Sequence, residues 1–236
     1  MASIAIRYTR YWQTKLSNGV VYDCDAWNRY PRHRWLFNKL DLSLKLGYAA
    51  GPGGTSVPSD GDYIVRPIMN LSGMGVGATR QQLKRNDYKT VPPGYFWSEF
   101  FHGPNVSVDY EWVVEGSKNM LKPVFAAEGY RTSSDLYRFN GWKRIDPPYW
   151  DLPEWIKELH DVPRFNIEFV YDKIIEIHLR PGNDFPDGAT QIIPIWSDMS
   201  GHDIDRFIRA GYTQVTNFDD ADGHLKEVKR LGFLWK

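Results

Sequence analysis

Apolar positions recur along the chain with two different periods, and the places where one gives way to the other mark its elements. Leu36, Leu40, Leu44 and Leu46 fall on one face of a helix over Arg32 to Gly47, with Gly47 as its stop. Upstream, residues 1–30 carry Tyr, Trp and Val in short polar-broken runs, Ile4 to Tyr8 and Val20 to Tyr22, which predict one or two strands. Gly51 to Gly61 is punctuated by glycine and proline and reads as a loop. Asp62 to Ile68 is a short strand, with Pro67 unsuited to a central ladder position at that point. The clearest alternation is Val106 to Val114; Tyr95 to Phe101 and a turn at Gly103-Pro104 precede it, and Lys122 to Arg131 is its hairpin partner. Pro153 to Leu159 suits a helix with Pro153 in the first turn, and Arg164 to Arg180 suits two strands reversing near Asp172 and Lys173. The tail has an acidic segment, Asn217 to Asp222, and helical charge spacing over Leu225 to Leu231.

Composition narrows the function classes. Lys+Arg and Asp+Glu are 29 each, so the net charge of zero gives no field for a polyanion such as duplex DNA; the sequence has no clear nucleic-acid patch, and the balance leaves room for local ones. A single cysteine, Cys24, forms no internal disulfide, and no Cys/His series has zinc spacing. The first residues are too short an apolar run for a signal peptide, and no stretch of about 18 apolar residues is present to span a membrane. The expectation is a cytoplasmic protein with no membrane partner. The aromatic share, 15% from 10 Trp, 14 Tyr and 12 Phe, is the unusual quantity.

Two constellations carry candidate chemistry. Gly73-x-Gly75-x-Gly77 follows a strand without the Gly-Lys-[Ser/Thr] of a P-loop or the G-x-G-x-x-G fingerprint. Such a loop lets backbone N–H groups approach a phosphate, and it also suits a plain flexible turn. The second is Arg164-x-Asn166-x-Glu168 facing Glu176-x-His178-x-Arg180. Alternate residues of a strand share a face, so each row projects its polar set together while Phe165, Ile167 and Phe169, or Ile175, Ile177 and Leu179, pack on the other side. Carboxylates, an imidazole and guanidiniums gathered this way suit a divalent cation with a bound anion; the same pattern suits a solvent-facing hairpin laced with salt bridges.

The order of the pieces resembles the ATP-grasp superfamily of the carboxylate-amine ligase type: a helix with Asn38-Lys39, a Pro/Gly loop, Val65-Arg66-Pro67, the glycine loop, Trp97 to Asp109, Arg164-x-Asn166, then Glu176-Ile-His-Leu-Arg-Pro-Gly182. The chain is also similar to short ATP-grasp proteins encoded by bacteriophages, which would place it in a host cytoplasm. The resemblance implies an α+β fold in which two small α+β subdomains grip ATP, with a reduced N-terminal domain. It divides the chain into an N-terminal strand segment (1–35), a core (36–196) and a C-terminal extension (197–236), the core comprising a lid-type subdomain (36–93) and a hinge and metal-hairpin subdomain (94–196).

By the same resemblance Lys39 and Arg66 reach the nucleotide phosphates, and Ser72, Gly73, Gly75 and Gly77 form a lid over them. Glu99, Phe100 and Phe101, with Trp97 beside them, are the adenine hinge. Asn105 stands where a ribose-binding Glu is usual. Glu176 bridges two Mg2+ ions, His178 stands in place of an Asn ligand, Asn166 in place of an Asp, and Glu168 can restore the missing charge; Mn2+ is the other candidate ion. Arg164 and Arg180 hold a substrate carboxylate and its developing oxyanion. The implied reaction joins a carboxylate to an amine through an acyl-phosphate made with ATP, the acceptor being a small molecule, a macromolecule or a partner protein. Two other readings fit the residues: a nucleotide-binding module impaired in catalysis, marked by Asn166 and His178, and an aromatic-rich sugar- or base-binding protein.

Overall fold

A computed structural model describes residues 22–71, 75–132, 134–182, 185–216 and 227–236. The expected strand at Ile4 to Tyr8, the lid residues Ser72 and Gly73, the acidic segment 217–222 and the start of the 225–231 stretch lie outside them.

Residues 50–99 build a four-stranded antiparallel sheet in the order β1-β4-β2-β3, from β1 (Ala50–Pro52), β2 (Gly61–Pro67), β3 (Thr79–Leu83) and β4 (Tyr95–Glu99). Alternation in β2 sends Tyr63 and Val65 into a small core with Val57, Leu83, Val91 and Trp97, and turns Arg66 to the other face. Pro67 sits where β2 pairs with β4 alone, β3 having ended its pairing opposite Val65, so the missing N–H interrupts no second ladder. The start of the expected loop at Gly51 is instead β1. A Cβ on Gly51 would stand 2.6 Å from the Trp97 ring, and that close approach is what the glycine permits. Trp97 donates from Nε1 to the Thr55 carbonyl at 3.2 Å and packs edge-on against Tyr63, so it belongs to this core rather than to an adenine hinge.

The second sheet has eight antiparallel strands in the order β11-β12-β10-β7-β6-β5-β8-β9. β5 (Asn105–Glu115) and β6 (Lys118–Tyr130) form the expected long hairpin. β8 (Arg164–Val170) and β9 (Lys173–His178) form the second, reversing through Tyr171, whose positive φ of 55° makes the turn and leaves its ring exposed rather than packed. β7 (Gly141–Ile145), β10 (Gln191–Trp196), β11 (Thr213–Thr216) and β12 (Arg230–Trp235) complete it. Arg230 and Leu231, the end of the stretch with helical charge spacing, are therefore strand, not helix. The first sheet takes in β4, which the sequence grouped with the hinge subdomain, and the 197–236 segment supplies two strands of the second sheet.

One face of β5, β8 and β9 carries Val106, Val108, Tyr110, Phe165, Ile167, Phe169 and Ile177, packed against Leu36, Phe37, Leu42, Ile156, Leu159 and Val162. Partly buried Trp27, Trp35, Trp112, Trp150 and Trp155 border the same core, which accounts for much of the aromatic excess. Three helical differences from expectation matter for the site. Asp23–Arg29, within the segment read as strands, is a helix, α1, started by a reciprocal cap between Tyr22 and Asp25. The single helix expected over 32–47 is a 3-10 helix, Pro31–Phe37, followed by α2 (Lys39–Lys45). Asn38 divides them: its side-chain oxygen accepts from Leu40 N and Asp41 N, the N-cap interaction that favours a fresh helix start over continuation. The 153–159 segment is a 3-10 helix, Glu154–Leu159, with Pro153 before it. Finally α3 (Gly201–Arg209), capped by Ser200, covers Ile193, Ile195 and Leu234 at the far end of the second sheet.

Candidate active site

The polar rows of β8 and β9 lie side by side, with Asn166 opposite His178 and Glu168 opposite Glu176. Directly opposed residues of an antiparallel pair point to the same face. β5 continues that face with Ser107 opposite Glu168 and Asp109 opposite Asn166. The surface so formed is not open to solvent, since His178, Asn166 and Asp109 are all buried. β9 is an edge strand, so elements that cover the core face also reach these side chains.

Three elements do so. From the start of α2, the Lys39 ammonium meets Glu176 Oε1 at 2.8 Å. From β2 of the first sheet, Arg66 donates from Nη2 to the Ile175 carbonyl at 3.1 Å and stacks over Phe96, joining the two sheets beside Glu176 and Glu168. From α1, Asp23 accepts from His178 Nδ1 at 3.1 Å to both carboxylate oxygens and from Arg180 Nη2 at 3.1 Å, with Arg180 Nε at ion-pair distance, 2.9 Å. On the β5 side Asp109 accepts from Arg164 Nη2 at 2.8 Å, Asn166 Nδ2 at 2.9 Å and Gly182 N at 2.7 Å, and Asn166 Nδ2 also reaches Ser107 Oγ at 2.8 Å. The result is two adjoining groups, Lys39, Arg66, Arg180, Asp23, Glu168 and Glu176 about the His178 imidazole, and Arg164 with Asn166 on Asp109, four cations and four carboxylates in all.

Burial and charge act in opposition here. Burial raises the Asp23 carboxyl, yet His178 and Arg180 outweigh it and hold the group well below the carboxylate range. Burial lowers His178, but Asp23 and then Glu176 outweigh it and bring it up to about 10, so the metal-free ring is an imidazolium at neutral pH. Glu176 is raised by burial and brought below its ordinary value by Lys39, His178 and Arg66. Asp109 is the exception: burial keeps it above the usual value despite Arg164 and the Gly182 amide.

Lys39, Arg66, Asn166, Glu168, Glu176, His178, Arg164 and Arg180 are thus brought together. The residues expected at the adenine hinge lie at the end of β4 and just after it. Glu99 ties the start of β1 through Ala49 N to its Oε1 at 3.2 Å, Phe100 packs on His102, and Phe101 packs edge-on against Tyr48, whose hydroxyl bonds the backbone of Ile174 in β9. Asn105 opens β5 on the same face as Ser107 and Asp109. Gly75 lies near Tyr137 and Gly77 near Tyr95 and Pro67, both with the positive φ that glycine accommodates. Both arginines expected to hold a substrate carboxylate already hold a carboxylate of the protein. Asp23, Ser107, Asp109 and Gly182 were missed from sequence; for Ser107 and Asp109 the Asn105-x-Ser107-x-Asp109 alternation was the available signal, and for Asp23 there was none.

The donor set suits a cation. Ligand atoms of Glu168, Glu176 and His178 lie within 4.8 Å of one another. Asn166 stands outside that group, its amide nitrogen committed to Ser107 and Asp109.

Two antiparallel sheets meeting at these residues, in an α+β chain, make the ATP-grasp fold that the sequence resembles. Among solved structures the chain is similar to N5-carboxyaminoimidazole synthetase from Staphylococcus aureus complexed with ADP, with a TM-score of 0.53 and 12% identity over 86% of this chain and 67% of that one. It is also similar to carboxyaminoimidazole ribonucleotide synthase from Aspergillus clavatus complexed with ATP, with a TM-score of 0.50 and 10% identity over 86% and 68%. An ATP-grasp superfamily protein from Archaeoglobus fulgidus matches with 18% identity over 85% of this chain and 56% of that one, at a TM-score of 0.38 that adds nothing to the fold assignment. The chain therefore spans 56–68% of the length of these three. No protein-family model and no curated protein matches the sequence. No helix among the described residues is long and apolar enough to cross a membrane.

Proposed function

We propose that the protein is an ATP-dependent ligase that joins a carboxylate to an amine. The observation that carries this reading is the convergence of Lys39, Arg66, Glu168, Glu176 and His178 at the junction of the two sheets of an ATP-grasp fold. Lys39 and Arg66 supply the positive side of a phosphate site, Phe100 and Phe101 with Glu99 the adenine edge, Asn105 the ribose contact, and Ser72, Gly73, Gly75 and Gly77 the cover. Glu168, Glu176 and His178 would hold a divalent ion, Mg2+ by resemblance, which when bound neutralises phosphate charge. A substrate carboxylate oxygen attacks the γ-phosphorus as the bond to ADP breaks. The amine nitrogen then attacks the acyl carbon, phosphate leaves, and the amine proton passes to solvent. Arg164 and Arg180 steady the carboxylate and the oxyanion by sharing the charge they now give to Asp109 and Asp23.

That sharing favours a second reading, a nucleotide-binding module without turnover, because each arginine is already neutralised. One experiment separates the two: ADP release measured with ATP and Mg2+ or Mn2+ over a panel of carboxylates with amino acids, polyamines and nucleotides. The ligase reading requires ADP release that depends on both substrates and is lost in Glu176→Ala and Arg180→Ala. Binding of ATP with no release on any pair leaves the module. If ATP with a divalent ion gives no thermal stabilisation, both fail and the aromatic-rich binder takes their place.

A further inference from the structure

We infer that the ion site formed by Glu168, Glu176 and His178 selects a first-row transition dication over Mg2+, with Asp23 as the residue that positions His178 for it. This rests on the cation site proposed above and concerns which ion that site takes.

The first argument is chemical. Mg2+ is bound through oxygen and by water, in near-ideal octahedral geometry, and gains little from an imidazole. Affinity for a site containing imidazole rises from Mn2+ through Fe2+ and Co2+, and Zn2+ shares the preference. Here one of three donors is an imidazole that is 5% exposed and cannot swing out of the site.

The second is geometric. His178 Nε2 lies 3.5 Å from Glu168 Oε1 and 3.7 Å from Glu176 Oε1, beyond good hydrogen-bond range. Two donors each about 2.1 Å from one ion stand about 3.0 Å apart at a right angle and about 3.6 Å apart at 120°. The spacings match donors set around a common centre, and without an ion they leave the imidazolium facing the two carboxylates as loose ion pairs.

The third is the support behind the ring. A ligating histidine whose other nitrogen donates to a carboxylate has its tautomer and orientation fixed and its basicity raised. Asp23 performs that task for Nδ1 at 3.1 Å, is 2% exposed, and is itself held by Arg180. On the opposite side Lys39 fixes Glu176 through Oε1. An ion at Nε2 takes the place of the proton there, while Nδ1–H stays on Asp23.

The test is ion binding by the chelator-treated protein, with and without a non-hydrolysable ATP analogue. Free Mn2+ is followed by its paramagnetic resonance signal, Mg2+ is titrated in competition, and Co2+ is followed by its visible absorption. The proposal expects Mn2+ to bind at least about tenfold more tightly than Mg2+, and a Co2+ spectrum that changes in His178→Asn. His178→Asn should lose Mn2+ affinity and keep Mg2+ affinity, collapsing the ratio. Asp23→Asn should weaken Mn2+ by about 10–100-fold, with circular dichroism confirming the fold. Equal or tighter binding of Mg2+ by the unaltered protein, an unchanged Mn2+:Mg2+ ratio in His178→Asn, or binding of neither ion under either condition would overturn it. Should Asp23→Asn not fold, the His178→Asn ratio decides alone. A Mg2+ preference with ADP release would sink this inference and leave the ligase reading standing; an Mn2+ preference with no ADP release on any substrate pair would do the reverse.

Discussion

Asp23 and Arg180, 157 residues apart in the chain, close on each other as a two-point ion pair, Nε to Oδ1 at 2.9 Å and Nη2 to Oδ2 at 3.1 Å. Asp23 is also the partner of His178, so removing its carboxylate takes a partner from a buried imidazolium and from a partly buried guanidinium. Asp23→Ala is therefore expected to lower the unfolding free energy by about 3–5 kcal/mol, the range for breaking a buried pair from one side. Urea denaturation measures it, and a loss under about 1 kcal/mol would show that α1 is only loosely tied to the site.

Lys39 couples α2 to β9 through Glu176 and stands on the proposed phosphate side. Lys39→Met keeps the length and apolar stem while removing the charge. Affinity for a non-hydrolysable ATP analogue, read by calorimetry, should fall at least about tenfold, the scale of one charge-assisted contact. Unaltered affinity would move the phosphates elsewhere.

Phe165 is fully buried between β5 and the helical layer, stacked near Tyr110. Phe165→Ala should cost about 3–5 kcal/mol in the same denaturation experiment, through lost burial and the cavity left behind. Since its neighbours Arg164 and Asn166 face the site, ATP affinity should fall along with stability.

Gly232 carries the β11 edge. A Cβ there would run into the Val215 carbonyl oxygen, a backbone atom with no room to move aside. Gly232→Ala should release β11 from β12, seen as fast amide exchange over Thr213–Thr216 while β8 and β9 stay protected. Retained protection at 213–216 would mean that β12 shifts as a whole.

Asp161 accepts from His33 Nε2 at 2.6 Å and pairs with Arg32, tying the first 3-10 helix to the loop before β8. Burial raises its carboxyl, but the His33 hydrogen bond and charge outweigh that and leave it below the ordinary value. A depressed carboxyl gives stability that is complete above its unfolded value near 3.9 and is lost as pH falls through the folded one. The stability difference between the unaltered protein and Asp161→Asn should be present at pH 6 and shrink on acidification below pH 4. A difference that grows towards acid would reverse the assignment.

Legibility in the sequence followed how locally each feature is encoded. The β5–β6 and β8–β9 hairpins were readable because one face of each is apolar and the other polar, so period and register followed from alternation. The pairing of Glu168 with Glu176 did not come with them: it depends on a bulge between Glu168 and Phe169, without which Glu168 would stand opposite Ile175. β10 was not readable: buried over Ile192–Trp196, it shows a continuous apolar run in which the period disappears. Asn38 was visible as a residue but not as a cap, since the leucine spacing runs straight through it. Asp23 depends on a contact 155 residues away that no pattern near it encodes, whereas Asp109 lies in a readable alternation and only its partner Arg164, 55 residues away, is hidden.

The helix that delivers Asp23 precedes residue 36, where the sequence leads one to expect the core to begin, although Ala26 and Tyr30 already belong to it. A chain shortened to start there would keep Lys39, Arg66, Arg164, Arg180 and His178 but only Asp109, Glu168 and Glu176 to balance them. With His178 charged the whole site holds five cations against four carboxylates, and the fragment would hold five against three. Charge balance at the junction of the sheets thus depends on a residue delivered by neither of them.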